Sequence, residues 1–228
     1  MQAFDSLKRD IQHYIYDKGW SKLTRIQSAS IKQIADTDHN LILSAPTASG
    51  KTEAAFIPAI NGVEDWDAGL KIVYISPLKA LINDQFQRIS ELCQYMDVPI
   101  TRWHGESSQA QKRKVVKDPK GILLITPESI EGMLVNRPGE AQQLFQGVEW
   151  IIIDELHSFL GTERGIHLQS LIQRISLFMQ NPRFIAMSAT LSKIDFSYAK
   201  DFFGSNRNTD ILVDSDKNDL LVTIDYTS

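Results

Sequence analysis

Between Ala45 and Thr52 the chain reads A-P-T-A-S-G-K-T, directly after the apolar run Leu41-Ile42-Leu43. An A-x-x-x-x-G-K-T spacing suits one task above others, the cradling of a phosphate chain. Small residues at Ala45, Ala48, Ser49 and Gly50, with Thr47 among them, let successive backbone N–H groups converge on an anion. A helix that begins where the loop ends aims its positive dipole at the same place. Lys51 then reaches the outer phosphates and the Thr52 hydroxyl ligates Mg²⁺. A polar turn can hold a Lys and a Thr for no chemical reason, so the loop calls for a second site.

Asp154-Glu155 supplies one, immediately after V-E-W-I-I-I. Adjacent carboxylates at the C-terminal end of a buried strand sit at the crevice edge where open α/β sheets bind ligands. Asp154 is suited to hold Mg²⁺, usually through water, and Glu155 to orient and deprotonate an attacking water. His157 beside them could point to zinc, but His104 and His167 are too isolated in sequence to complete a hydrolytic zinc site.

Both sites need strands to carry them. Short apolar runs predict strands at 41–44, 71–76, 99–103, 121–126, 148–153 and 183–188. Amphipathic stretches at 78–95, 106–117, 128–136 and 165–180 predict the helices between them. Continuous β-branched runs alternating with helical pattern give an α/β fold, a mostly parallel central sheet with helices on both faces. The closing stretch L-L-V-T-I-D-Y-T-S reads as one more strand, without an element to close it.

Composition sets outer bounds. The 228 residues suffice for one large α/β domain or two small ones, and 43% hydrophobic with 23% charged residues is ordinary for a globular chain. A net charge of −4 gives no overall basic field, so any nucleic-acid binding depends on a local patch. The densest positive run, Lys112-Arg113-Lys114 with Lys117 and Lys120, reads first as a solvated helix face. A single cysteine, Cys93, excludes an intrachain disulfide and a cysteine-based zinc site. There is no signal-peptide pattern at the N-terminus and no apolar run long enough for a bilayer. No membrane partner and a cytoplasmic location are expected.

Taken together, the motifs resemble those of superfamily 2 DEAD/DEAH-box nucleic-acid helicases. A-P-T-A-S-G-K-T is similar to motif I, Asp154-Glu155-Leu156-His157 to the D-E-x-H box, and Ser188-Ala189-Thr190 to motif III. Pro77-Leu78-Lys79-Ala80-Leu81 resembles motif Ia, Thr126-Pro127-Glu128-Ser129 motif Ib, and His104-Gly105 the H-G element between them. G-T-E-R-G-I-H-L, residues 161–168, resembles the Lhr-like (large helicase-related) branch.

The resemblance implies a RecA-like P-loop NTPase lobe that uses ATP and Mg²⁺. It implies that Gln27 reads the adenine edge, with Phe4 or Trp20 available to stack on the base, and that residues 1–40 are adenine-recognition helices leading into the core. Pro77, Leu78, Lys79, His104, Gly105 and Thr126 to Ser129 are then the contacts to single-stranded or partly duplex DNA or RNA. His157, Ser188, Ala189 and Thr190 would link the two ligands. Such motors close ATP between two RecA-like lobes, and the second supplies arginines for the transition state. Nothing after Thr190 resembles that arginine motif. The expectation is a single ATP-binding domain over 1–228, monomeric alone, in which 205–228 forms a terminal strand leading to a second lobe. The competing reading is a nucleotide-binding regulatory or interaction module without motor activity.

Overall fold

The central strands are buried at nearly every position, and their alternate side chains feed two separate cores. On β2 (Leu70–Ile75), Ile72 and Tyr74 enter one core while Val73 and Ile75 enter the other. β1 (Asn40–Ser44) divides Leu41 and Leu43 from Ile42, and β4 (Gly121–Ile125) divides Ile122 and Leu124 from Leu123 and Ile125. This period-two split is why the strands lack amphipathic alternation: both faces are covered. Each fully buried Leu or Ile contributes about 1.5–3 kcal/mol relative to exposure. The computed structural model describes residues 3–189, 191–204, 206–214 and 220–223.

The first core lies under α1 (Arg9–Asp17), α2 (Arg25–Asp36), α3 (Lys51–Gly62) and α4 (Lys79–Tyr95). The second lies under α5 (Gln109–Lys117), α6 (Pro127–Asn136), α7 (Pro138–Phe145), α8 (Glu163–Ser176) and α9 (Lys193–Lys200). The remaining strands are β3 (Ile100–Trp103), β5 (Trp150–Ile153), β6 (Arg183–Ser188), β7 (Thr209–Asp214) and β8 (Leu220–Thr223). They form one sheet in the order β3-β4-β2-β5-β6-β1-β7-β8, parallel except for the β7–β8 pair. Among the described residues no helix is long and apolar enough to cross a membrane.

The sequence places strands β1 to β6 correctly, with ends that move by up to two residues. Helix starts move for identifiable reasons. The helix expected from 106 begins at Gln109 because the Ser108 hydroxyl accepts from Gln111 N–H. The one expected from 165 begins at Glu163 because Thr162 caps it, accepting from Gly165 N–H. Thr126 caps α6, but Ser76 caps nothing, and α4 starts later, at Lys79. Helices α7 and α9 have no counterpart among the sequence expectations, and within 205–228, expected as one terminal strand, the chain forms β7 as well as β8. Of the closing stretch, 220–223 is a strand and 224–228 lies outside the described residues.

Proline lies inside α3, at Pro58, where it cannot donate to the carbonyl four residues back. That carbonyl, Ala54 O, accepts instead from the Ser30 hydroxyl at 2.6 Å. The replacement bond pins α2 to the helix that carries Lys51 and Thr52.

Candidate functional site

The C-terminal edge of the sheet gathers the motifs in two halves. Strands β3, β4 and β2 are neighbours, and they end in His104-Gly105, Thr126–Ser129 and Pro77–Lys79. Strands β5, β6 and β1 continue the sheet, ending in Asp154-Glu155, Ser188-Ala189 and the loop from Ala45 to Gly50. Thr190 lies outside the described residues.

In the loop, Ala48 has φ +63° and Gly50 φ +87°, both left-handed. Glycine suits the second position, because a side chain at φ +87° is strained and its Cβ would also push aside the end of Gln27, 2.6 Å away at Nε2. Lys51 opens α3 and folds back on the loop, donating to Ala45 O and, at 2.6 Å, to Pro46 O. Thr47 and Ala48 are exposed, whereas Thr52 is buried in the first turn. The Ser49 hydroxyl is buried and has no hydrogen-bond partner among the described residues.

Asp154 is buried, and burial pushes its carboxyl above the usual carboxylate range, against the opposing Tyr74 hydrogen bond. The Tyr74 hydroxyl donates to Oδ2, and the Glu155 N–H donates to Oδ1 at 2.9 Å. Lys51 is shifted the other way: burial lowers its ammonium, while Glu155 and Asp154 pull it back up. Two opposite charges from different elements thus face each other in a site that burial penalises for both. Glu155, just beyond β5, adopts a left-handed φ of +50°, a costly conformation for a non-glycine residue.

His157 Nε2 lies 3.3 Å from Glu155 Oε2. Its Nδ1 is 3.3 Å from the Ser188 hydroxyl and accepts from Ala189 N–H at the same distance. The Ser44 hydroxyl, at the end of β1, donates to Ala189 O at 3.3 Å and accepts from Leu191 N–H at 3.0 Å. The loop after β6 is therefore joined both to the acidic pair and to the root of the phosphate loop.

On the other half, Lys79 pairs with Glu106 at 3.0 Å, beside Gly105. His104 is buried, its ring pushed towards the neutral form by burial, and its Nδ1 accepts from Glu106 N–H at 3.3 Å. Arg164 spans two motifs, donating to Pro77 O at 2.7 Å and to Glu128 Oε1 at 2.8 Å. Leu78 is exposed, and Pro127 is buried under the first turn of α6.

Gln27 completes a capping box with Thr24, its Oε1 accepting from Thr24 N–H, while Nε2 donates to Gly50 O at 3.5 Å. Phe4 and Trp20 line a recess of about 470 Å³ together with Lys22 and Leu23. Gln27 is not in its walls, so the structure brings Gln27 to the phosphate loop and leaves Phe4 with Trp20.

The profile of the DEAD/DEAH box helicase family matches residues 24–196, from the Gln27 turn to the start of α9. The chain belongs to that family. It is 33% identical to the ATP-dependent helicase Lhr-Core of Sulfolobus acidocaldarius over 76% of this chain and 21% of that protein. It is 28% identical to Lhr-Core of Methanocaldococcus jannaschii over 98% of this chain and 28% of that protein. The fold matches the helicase Lhr of Mycobacterium smegmatis, solved bound to ssDNA and AMP-PNP, with a TM-score of 0.82 and 24% identity over 94% of this chain and 28% of that one. The architecture is thus the RecA-like helicase lobe, and the chain spans roughly a quarter of the length of these relatives.

Motif reading in this DEAD/DEAH box lobe overlooked Tyr74 and Arg164. Tyr74 had a signal: a lone hydroxyl within the aliphatic run K-I-V-Y-I needs a buried partner. Arg164 had only its place in the Lhr-like stretch. The site fits Mg²⁺ by its donors, since a hydroxyl on Thr52 and a buried carboxylate on Asp154 are hard oxygen ligands. Among the described residues no cluster of three or more His, Cys, Asp or Glu could cage an ion.

Proposed function

We propose that this chain is the ATP-binding motor lobe of a cytoplasmic DNA or RNA helicase or translocase, coupling ATP hydrolysis to movement on nucleic acid. The observation that carries the reading is the convergence of Lys51, Asp154 and Glu155, from α3 and the end of β5, with burial working against both the lysine and Asp154. A Mg²⁺-nucleotide relieves both costs, because each charge gains a partner of opposite sign.

Phosphate oxygens replace Ala45 O and Pro46 O as acceptors of the Lys51 ammonium. Backbone N–H groups of the loop and the Ser49 hydroxyl hold the rest of the phosphate chain. Thr52 and Asp154 would hold Mg²⁺, which would neutralise charge building on the phosphate oxygens. Glu155 takes the proton of the water that attacks the γ-phosphorus, as the bond to the β–γ bridging oxygen breaks and ADP leaves. Gln27 sits beside the loop with one amide hydrogen and one lone pair to spare for the adenine edge.

Pro77–Lys79, His104-Gly105 and Thr126–Ser129 form the face for a single strand's sugar–phosphate backbone, which loop N–H groups and hydroxyls hold without reading sequence. A second RecA-like lobe in a longer parent chain supplies the missing transition-state cations. The far greater length of the Lhr-Core relatives supports this. The test is ATPase activity of a chain extended through that lobe, measured with single-stranded DNA, single-stranded RNA and duplex. Stimulation by a nucleic acid is expected, whereas hydrolysis indifferent to all three contradicts the motor reading.

A further inference from the structure

Helix α5 carries Lys112, Arg113, Lys114 and Lys117 with no acidic residue between Gln109 and Lys117. Among the described residues none of these four cations forms an ion pair, although neighbouring Lys120 is matched by Asp67 at 3.1 Å and Asp118 at 3.8 Å. The strand-facing edge is different. Its own cations are already matched, Lys79 by Glu106 at 3.0 Å and Arg164 by Glu128 at 2.8 Å. In a chain of net charge −4, the unmatched positive field of this region is concentrated on α5.

The helix also adjoins the proposed strand path. Lys112 Nζ stands 5.7 Å from the centre of the Trp103 ring, and Trp103 precedes His104 directly. Lys112, Trp103 and Ser129 share a recess of about 280 Å³ with Gln109 and Arg137. On the opposite flank Lys114 lines a recess of about 430 Å³ with Arg102, whose guanidinium stacks over Phe86 at 4.5 Å.

We propose that α5 extends the nucleic-acid path, its Lys112–Lys117 face taking the phosphodiester backbone beyond the segment held by the motif loops. The inference rests on the nucleic-acid reading above. Long, flexible, unmatched lysines next to a strand path suit a phosphate backbone, which is uniform in charge and needs no fixed register. On this account the solvated basic helix face is the electrostatic half of a surface whose motif loops supply the positioning half.

The test is anisotropy of a fluorescein-labelled single-stranded oligonucleotide, titrated with the 228-residue chain across a series of salt concentrations. The variant Lys112→Gln/Arg113→Gln is compared with Arg9→Gln/Lys18→Gln, which removes the same charge from the two ends of α1, on the other face of the sheet. The α5 variant should bind more weakly and lower the slope of log affinity against log salt by about 1.4, or about 0.7 for each phosphate no longer neutralised. The α1 variant should keep the parent slope. Equal slopes in both variants, with the parent binding normally, would overturn the inference and leave the helicase reading standing. A parent chain that does not bind the oligonucleotide at any salt overturns the nucleic-acid reading itself. Loss of binding to a polyglutamate peptide alone, with oligonucleotide binding unchanged, assigns the face to an acidic protein and also overturns the inference.

Discussion

The Ala189 backbone N–H donates to His157 Nδ1 at 3.3 Å, and this one bond fixes which way the imidazole works. A backbone amide can only donate, so Nδ1 carries no proton and Nε2–H faces Glu155 Oε2 at 3.3 Å. The ring joins the acidic pair to the loop after β6. Coupling between two ligand sites is typically worth about 5–150-fold. In a two-lobe protein, His157→Ala should lower nucleic-acid stimulation of ATPase within that range and change Mg²⁺-nucleotide affinity little. Stimulation equal to the parent's would remove His157 from the coupling role.

Asp154 gives a stability prediction with a definite sign. Burial, the largest cause, raises its folded pKa above the unfolded value of about 3.9. The folded chain then holds that proton longer, so this residue's contribution to stability falls as pH rises from the unfolded value through the raised folded one. At neutral pH the ionised carboxylate is a net cost. Asp154→Asn should therefore raise the neutral-pH Tm by roughly 2–4 °C per kcal/mol recovered, since Tyr74 can rotate its hydroxyl to suit an amide. The same change should remove the Mg²⁺-dependent part of nucleotide affinity. A lower Tm in a thermal melt would contradict the burial argument.

Gly50→Ala tests the loop backbone. A methyl group at φ +87° and 2.6 Å from Gln27 Nε2 costs roughly 1–3 kcal/mol, so Tm should drop by about 2–12 °C. Gln27 should also be displaced, and nucleotide affinity should fall. Gly139→Ala is the comparison, because a Cβ there meets nothing within 4 Å and Gly139 lies in α7. It should be neutral or mildly stabilising.

Much of this site was legible in the sequence because phosphate loops and strand-end carboxylates are local. Ala45 to Thr52 is one continuous segment, and both Asp154 and Glu155 follow a single apolar run. What brings Lys51 to Asp154 is the strand order β5-β6-β1, which no local pattern encodes. The same limit hid Arg164, whose partners Pro77 and Glu128 lie far away along the chain. Within the expected terminal strand at 205–228, β7 is not separable by local pattern because Asp210 and Asp214 flank a run of only three apolar residues. Asp210 is nevertheless buried against His39 and Gln33, and Ile211 and Leu212 enter opposite cores. The structure sets Gln27 beside the loop, and its role as the partner of Thr24 in a capping box was readable from T-R-I-Q at a helix start.

Glu155→Gln separates binding from chemistry. The substitution keeps size and hydrogen bonding and removes only the proton acceptor. In a two-lobe protein, hydrolysis should fall by about 10²–10⁴-fold with Mg²⁺-ATP affinity nearly intact. Equal loss of binding in Glu155→Gln and Asp154→Asn would show that the two carboxylates do not divide their roles this way.

The most direct test is titration of the 228-residue chain with a fluorescent ATP analogue, with and without Mg²⁺, beside Lys51→Ala. A charged donor to phosphate is worth about 1.5–3 kcal/mol, which is roughly a 13- to 160-fold loss of affinity. The account predicts Mg²⁺-dependent binding by the parent chain and a loss of that size or greater in the variant, with the fold unchanged by circular dichroism. Undiminished affinity in Lys51→Ala would contradict it.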